Sequence, residues 1–183
     1  ARVARRFQEA ATPLPDDVLQ ALRKAREKEE SPLGRKVLDQ ILRNAELAGE
    51  NLLPLCQDTG TAVVFLEIGQ DVHIVGGALM DAINKGVSKG YTEGFLRASM
   101  VEHPFSSRVN TKDNTPAVVH VDVVPGDRFH IKVLPKGGGC ENMNIQYALP
   151  AELPNLGRAD RTLEGARKCI LHAVWNAQGK GCA

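Results

Sequence analysis

Cys56, Gln57, Asp58 and Thr59 place a thiol, a carboxamide, a carboxylate and a hydroxyl in four successive positions, between Pro54 and Gly60. Proline fixes φ and glycine supplies φ > 0, so the stretch reads as a loop of defined shape. A thiolate binds metal, a carboxylate moves or orients a proton, and a carboxamide both donates and accepts hydrogen bonds. The plainer alternative is a polar turn before a strand, with Cys56 as a small hydrophobe. Spacing alone leaves both open. A second stretch bears Arg97, although by residue type alone an arginine is most often a surface charge. Lys136-Gly137-Gly138-Gly139-Cys140 is a third stretch, where three glycines let backbone N–H groups approach a ligand closely. Gly76-Gly77 opens a helix, but no Gly-Lys-Ser/Thr follows, so it is not a complete phosphate loop.

The elements around these residues follow from periodicity. Asp16 to Glu29 reads as an amphipathic helix behind Pro15, with acids in its first turn and Val18, Leu19, Leu22 and Ala25 at helical spacing. Ser31 caps a second helix with Pro32 at its first position. Leu33, Val37, Leu38, Ile41, Leu42 and Ala45 form its stripe, and Gly49 is expected to end it. The pair is expected to pack as a helical hairpin under the Cys56 loop. Arg2, Arg5 and Arg6 are followed by Glu9, Asp16 and Asp17, which reads as a helix start rather than an organelle presequence.

Ala62 to Ile68 is an apolar run read as a buried strand, with Asp71 to Val75 expected to pair with it across Gly69-Gln70. A helix follows to about Gly90, with Leu79, Ile83 and Val87 on one face. Ala117 to Val124 and Phe129 to Val133 alternate as strands and are expected to form an antiparallel hairpin through Pro125-Gly126-Asp127. His120, Asp122 and His130 fall on their polar phases, where solvent exposure outweighs a metal site. Asn142 to Gly157 reads as irregular. Thr162 to Gln178 reads as a closing helix with Leu163, Ala166, Ile170, Ala173 and Val174 inward and Cys169 inert beside them.

Composition limits the function classes. The 183 residues, 43% of them hydrophobic, suffice for a core. A net charge of +1, from 23 basic and 22 acidic residues, lacks the excess a nucleic-acid footprint needs, and aromatics are sparse. No apolar run is long enough to span a bilayer and no secretory signal is visible. Four scattered cysteines, Cys56, Cys140, Cys169 and Cys182, fit reduced thiols in a cytoplasm better than a disulfide framework. No two of them have zinc-finger spacing.

Cys56-Gln57-Asp58-Thr59-Gly60-Thr61-Ala62 resembles the first cluster-ligand loop of the class I fumarate hydratase and L(+)-tartrate dehydratase family of iron–sulfur hydro-lyases. Gly94–Ser99, Pro116–Asp127 and Lys136–Asn142 match in the same order. The resemblance implies an α subunit of α/β (α+β) fold. A helical hairpin over 1–52 would precede an α/β core over 53–183, with a mixed or antiparallel sheet and glycine-rich loops around a cluster. It implies reversible addition or removal of water on a C4 dicarboxylate, fumarate/malate first and tartrate next. It implies a 4Fe-4S cluster held by three cysteines with one open iron. Cys56 and Cys182 would be two of the ligands, and the third would lie outside this sequence. Ala183 departs from the Pro-Pro that follows the family's second cysteine, so the domain reads as incomplete at its C-terminal end. Many members carry Ser at the position of Cys140, which is therefore not assigned as a ligand. Gln57 and Asp58 would touch substrate, Asp58 as orienter or proton relay, and Arg97 would bind the substrate carboxylate. The partner would be a β subunit carrying the catalytic base, in a hetero-oligomer or around a homodimer of α. The alternatives are a zinc-binding domain, or a cluster-free structural or interaction domain.

Overall fold

A computed structural model describes residues 1–180, which form two compact units, 1–136 and 137–180. In the first unit, helices α1 (Arg2–Ala11), α2 (Asp16–Lys28) and α3 (Pro32–Asn51) lead into strand β1 (Thr61–Gly69). Helix α4 (Leu79–Glu93) and strands β2 (Val118–Val124) and β3 (Phe129–Lys136) follow. The Arg-rich start is α1, a core helix: Ala4, Phe7 and Ala11 are buried at i, i+3 and i+7. Phe7 packs beside Tyr91 of α4, with ring centroids 5.7 Å apart. Both helices cover Ala62, Val64 and Leu66 of β1, and Ile131 and Val133 complete the cluster from β3. The observed fold is thus mixed α/β behind an N-terminal helical hairpin.

That hairpin forms from α2 and α3, joined by a double hydrogen bond from Arg26 to Asp39 at 2.8 and 3.3 Å. Ser31 Oγ caps α3 by accepting from Gly34 N, with Pro32 in the first turn. No α2 residue is buried, and only Ala45 and Ala48 are buried in α3. Leu33, Val37 and Ile41, expected in the stripe, lie on the surface. Helix α3 also runs past Gly49 to Asn51. Leu52 takes the left-handed conformation, and Leu53 N donates to the Ala48 carbonyl at 3.0 Å. The C-terminal hydrogen bonds, not the glycine, set the end of this helix.

The sheet corrects two expectations. Its order is β2-β1-β3, with β2 parallel and β3 antiparallel to β1. The two alternating strands therefore do not pair with one another; the most apolar strand lies between them. Residues 125–128 cross the end of β1. Gly69 N donates to the Arg128 carbonyl, Gln70 N to that of Val124 and Asp71 N to that of Gly126, at 2.7, 2.9 and 3.0 Å. A Cβ on Gly69 would overlap the Gly126 carbonyl oxygen, so the crossing requires glycine there. Both edges of β1 are occupied, and Asp71–Val75 forms no strand.

In the second unit, a 3₁₀ turn (Gly139–Met143) is followed by strands β4 (Ala151–Leu153) and β5 (Gly157–Ala159) and helix α5 (Leu163–Ala177). The two short strands form an antiparallel hairpin in a stretch expected to be irregular. Thr162 Oγ1 caps α5 by accepting from Gly165 N at 3.0 Å. The inward face of α5 is Gly165, Cys169 and Ala177, whereas Leu163, Ile170 and Val174 are exposed. The phase differs because the Asp160 backbone lies against Gly165, where no side chain fits. Cys169 packs with Leu153 and Ala159.

Candidate active site

Strand β1 and helix α4 build a platform at the N-terminal end of β1. Leaving α3, the chain is tied by Asn44 Nδ2 to the Leu55 carbonyl at 2.9 Å and by Leu55 N to the Ala11 carbonyl at 2.9 Å. It then turns through Cys56–Gly60. Gly60 has φ +59 and donates its N–H to Asp58 Oδ1 at 3.1 Å, which fixes the carboxylate over its own turn. Asp58 N points at Cys56 Sγ at 3.4 Å. Cys56 and Gln57 are exposed, Asp58 is half-buried, and Thr59 and Gly60 are buried. Reactive groups therefore face outward and anchoring groups inward.

Two bonds hold that anchor. Tyr91 Oη donates to the Thr59 carbonyl at 2.9 Å. Burial pushes the Tyr91 hydroxyl up to about 12, and the negative charge of Asp58 adds to the shift, so the group remains a donor at neutral pH. Thr59 Oγ1 donates to the main-chain carbonyl of Arg97 at 3.0 Å. This second bond joins the Cys56–Gly60 loop to the 97–100 segment, and the Arg97 side chain is exposed beside that junction. Asn110 Nδ2 steadies the same segment through the Ala98 carbonyl at 2.8 Å.

The backbone thus brings together the segments bearing Cys56, Gln57, Asp58 and Arg97. Cys182 lies outside the described residues. Cys140, in the second unit, is exposed and its Sγ meets the Gly137 carbonyl at 3.1 Å. Cys56 is exposed and Cys169 is buried, each as a free thiol. Among the described residues no cluster of three or more His, Cys, Asp or Glu is placed to hold a metal ion. Cys56 itself suits one thiolate position of a larger ligand set: it is exposed, with a backbone donor aimed at its sulfur. His120 stacks on Phe65 at 5.1 Å, and His130 and Lys132 pair with Glu67 at 3.4 and 2.9 Å on the outer face of the sheet. The lysine hydrogen bond, with the histidine adding to it, holds Glu67 below its usual range. The sequence reading missed Tyr91, Asn110 and Asn114. The first was an apparent end-of-helix aromatic and the asparagines were loop residues; only their long-range bonds reveal their work. No described helix is long and apolar enough to cross a membrane.

Fold and site together define a mixed α/β protein that presents a thiol, a carboxamide, a carboxylate and a guanidinium from two loops tied to one core. The profile of the fumarate hydratase (Fumerase) family matches residues 1–183. A provisionally named class I fumarate hydratase of Geobacillus stearothermophilus is 39% identical over 96% of the chain and 34% of its own length. A provisionally named L(+)-tartrate dehydratase subunit alpha of Methanocaldococcus jannaschii is 36% identical over 96% of the chain and 60% of its own length. The L(+)-tartrate dehydratase subunit alpha of Escherichia coli is 32% identical over 71% of the chain and 43% of its own length. The chain belongs to the fumarate hydratase family. It spans about a third to three-fifths of the length of these curated relatives.

Proposed function

We propose that this chain is the α part of an iron–sulfur hydro-lyase that reversibly adds or removes water on a C4 dicarboxylate, fumarate/malate first and tartrate next. The observation that carries the reading is the 3.0 Å bond from Thr59 to the Arg97 carbonyl, which ties the backbone bearing Arg97 to the Cys56-Gln57-Asp58 loop. The relatives, named as fumarate hydratases and tartrate dehydratase α subunits, support the substrate class.

The residues divide the work. Arg97 binds one substrate carboxylate through two parallel hydrogen bonds and fixes its orientation. Gln57 donates to a carboxylate or accepts from the substrate hydroxyl. Asp58, oriented by Gly60 N, positions the proton that a base from the partner removes alpha to the carboxylate. Cys56 and Cys182 would be two of the three thiolates that hold a 4Fe-4S cluster. When bound, the cluster supplies an iron with an open position, a Lewis acid toward the departing hydroxyl.

The partner in this reading is a β subunit, in keeping with the name subunit alpha of two relatives, and it would carry the base. The assembly is a hetero-oligomer or is built on a homodimer of α. Free thiols at Cys56 and Cys169 fit the reducing, cytoplasmic setting of this reading. The test is turnover by the anaerobically loaded full-length protein assembled with its β partner, assayed with fumarate, L-malate and L(+)-tartrate. Interconversion of at least one substrate and its hydrated or dehydrated product is expected. Inertness toward all three would overturn the reading.

A further inference from the structure

Asn114 lies in the loop before β2 and is fully buried. A buried carboxamide persists only where its hydrogen-bonding atoms find partners, and here they do. Oδ1 accepts from Ser99 N at 2.7 Å and from Met100 N at 3.1 Å, and Nδ2 donates to the Gly60 carbonyl at 2.8 Å. The partners belong to the two segments that carry the site. Gly60 closes the Cys56–Asp58 loop, while Ser99 and Met100 follow Arg97 almost directly. These three partners are main-chain groups, so this one amide bridges two backbones, and it also meets the Tyr91 hydroxyl. Asparagine alone suits the task, because it offers an acceptor and a donor across a short rigid plane. Aspartate lacks the donor and glutamine is longer. Asn114 also sits at φ +63, a conformation asparagine tolerates better than most residues.

We propose that Asn114 is a positioning residue: through Gly60, Ser99 and Met100 it fixes the distance between Arg97 and the Cys56–Asp58 loop, and so the register of the substrate carboxylate against the reacting atoms. The proposal rests on the functional reading above for the roles of Arg97 and Asp58. Asn114 acts without touching substrate. Displacement of a binding group by about 1 Å costs up to about a hundredfold in rate.

A double-mutant cycle in the loaded full-length enzyme with its partner tests this, using Asn114→Asp, Arg97→Lys and the pair, with KM and kcat for the dicarboxylate it turns over. Asn114→Asp keeps the acceptor facing Ser99 and Met100, removes the donor to the Gly60 carbonyl and changes the contact with the Tyr91 hydroxyl. It is expected to lower kcat/KM by about tenfold or more, chiefly through KM. In the Arg97→Lys background the same change should matter less than about threefold, because the group it positions is already altered. Independent, multiplicative effects would overturn the proposal. Amide hydrogen exchange on the unaltered protein provides a second readout that needs no activity and decides the matter if Asn114→Asp fails to fold. Ser99 and Met100 N–H should be protected as strongly as the amides of β1. Exchange at the rate of open loop amides would overturn the clamp. An Arg97→Lys variant with unchanged KM would strike the functional reading, and the proposal with it, while amide protection persisted; the two failures are thereby told apart.

Discussion

Thr59 Oγ1 donates to the main-chain carbonyl of Arg97 at 3.0 Å, linking residues 38 positions apart at the edge of the core. Thr59 is buried, so its hydroxyl has no alternative contact with bulk water. Thr59→Val keeps the shape and deletes the donor. It should cost about 1 kcal/mol and lower Tm by roughly 3 °C, while raising KM for the dicarboxylate more than it lowers kcat. Calorimetry and steady-state kinetics check this; an unchanged KM would separate the bond from the site.

Tyr91 gives the site an alkaline limit. Its hydroxyl loses a proton near 10.0 when unfolded and near 12 when folded, mainly because it is buried. The folded state therefore holds that proton more tightly. The stability this confers is complete below pH 10 and is lost as pH rises toward 12, on the order of 2–3 kcal/mol in all. Tyr91→Phe should be about 1 kcal/mol less stable than the unaltered protein near neutral pH, having lost its bond to the Thr59 carbonyl. That gap should shrink as pH climbs past 10. Denaturant unfolding of both proteins at about pH 8 and about pH 11 measures it, and a gap indifferent to pH would refute the linkage.

Gly69 is the position on which the sheet order depends. A methyl group there meets the backbone of the 125–128 crossing, which has no flexible side chain to yield. Gly69→Ala should destabilise the first unit by about 1–3 kcal/mol, with the loss appearing first as faster amide exchange at Gln70 and Asp71. Normal protection of those amides in a fully stable variant would show that the crossing accommodates a side chain.

The same glycine explains what was legible in the sequence. The apolar run of β1, the Ser31 cap and the alternation of β2 and β3 could all be read, because each is a local pattern. Which strands pair is not local. Pro125-Gly126-Asp127 has the composition of a hairpin turn, and nothing near it reveals that it passes over another strand; the clue was Gly69, far upstream. In α5 the large apolar residues suggested the wrong face, since close backbone packing at Gly165 outweighed them. At the site, Cys56, Gln57 and Asp58 stood out by residue type and by resemblance, and Arg97 by resemblance. Asn114 did not, because Asp113-Asn114-Thr115 resembles any polar turn until its three long-range bonds are seen.

Cys56 is the side chain by which the central claim stands. Anaerobic addition of iron and sulfide to the full-length protein should produce a broad brown charge-transfer absorption. That band should be lost in Cys56→Ser and kept in Cys169→Ala, whose thiol is buried in the second unit's core. A colourless unaltered protein, or a band of equal intensity in Cys56→Ser, would contradict the assignment of an iron–sulfur hydro-lyase built on this loop.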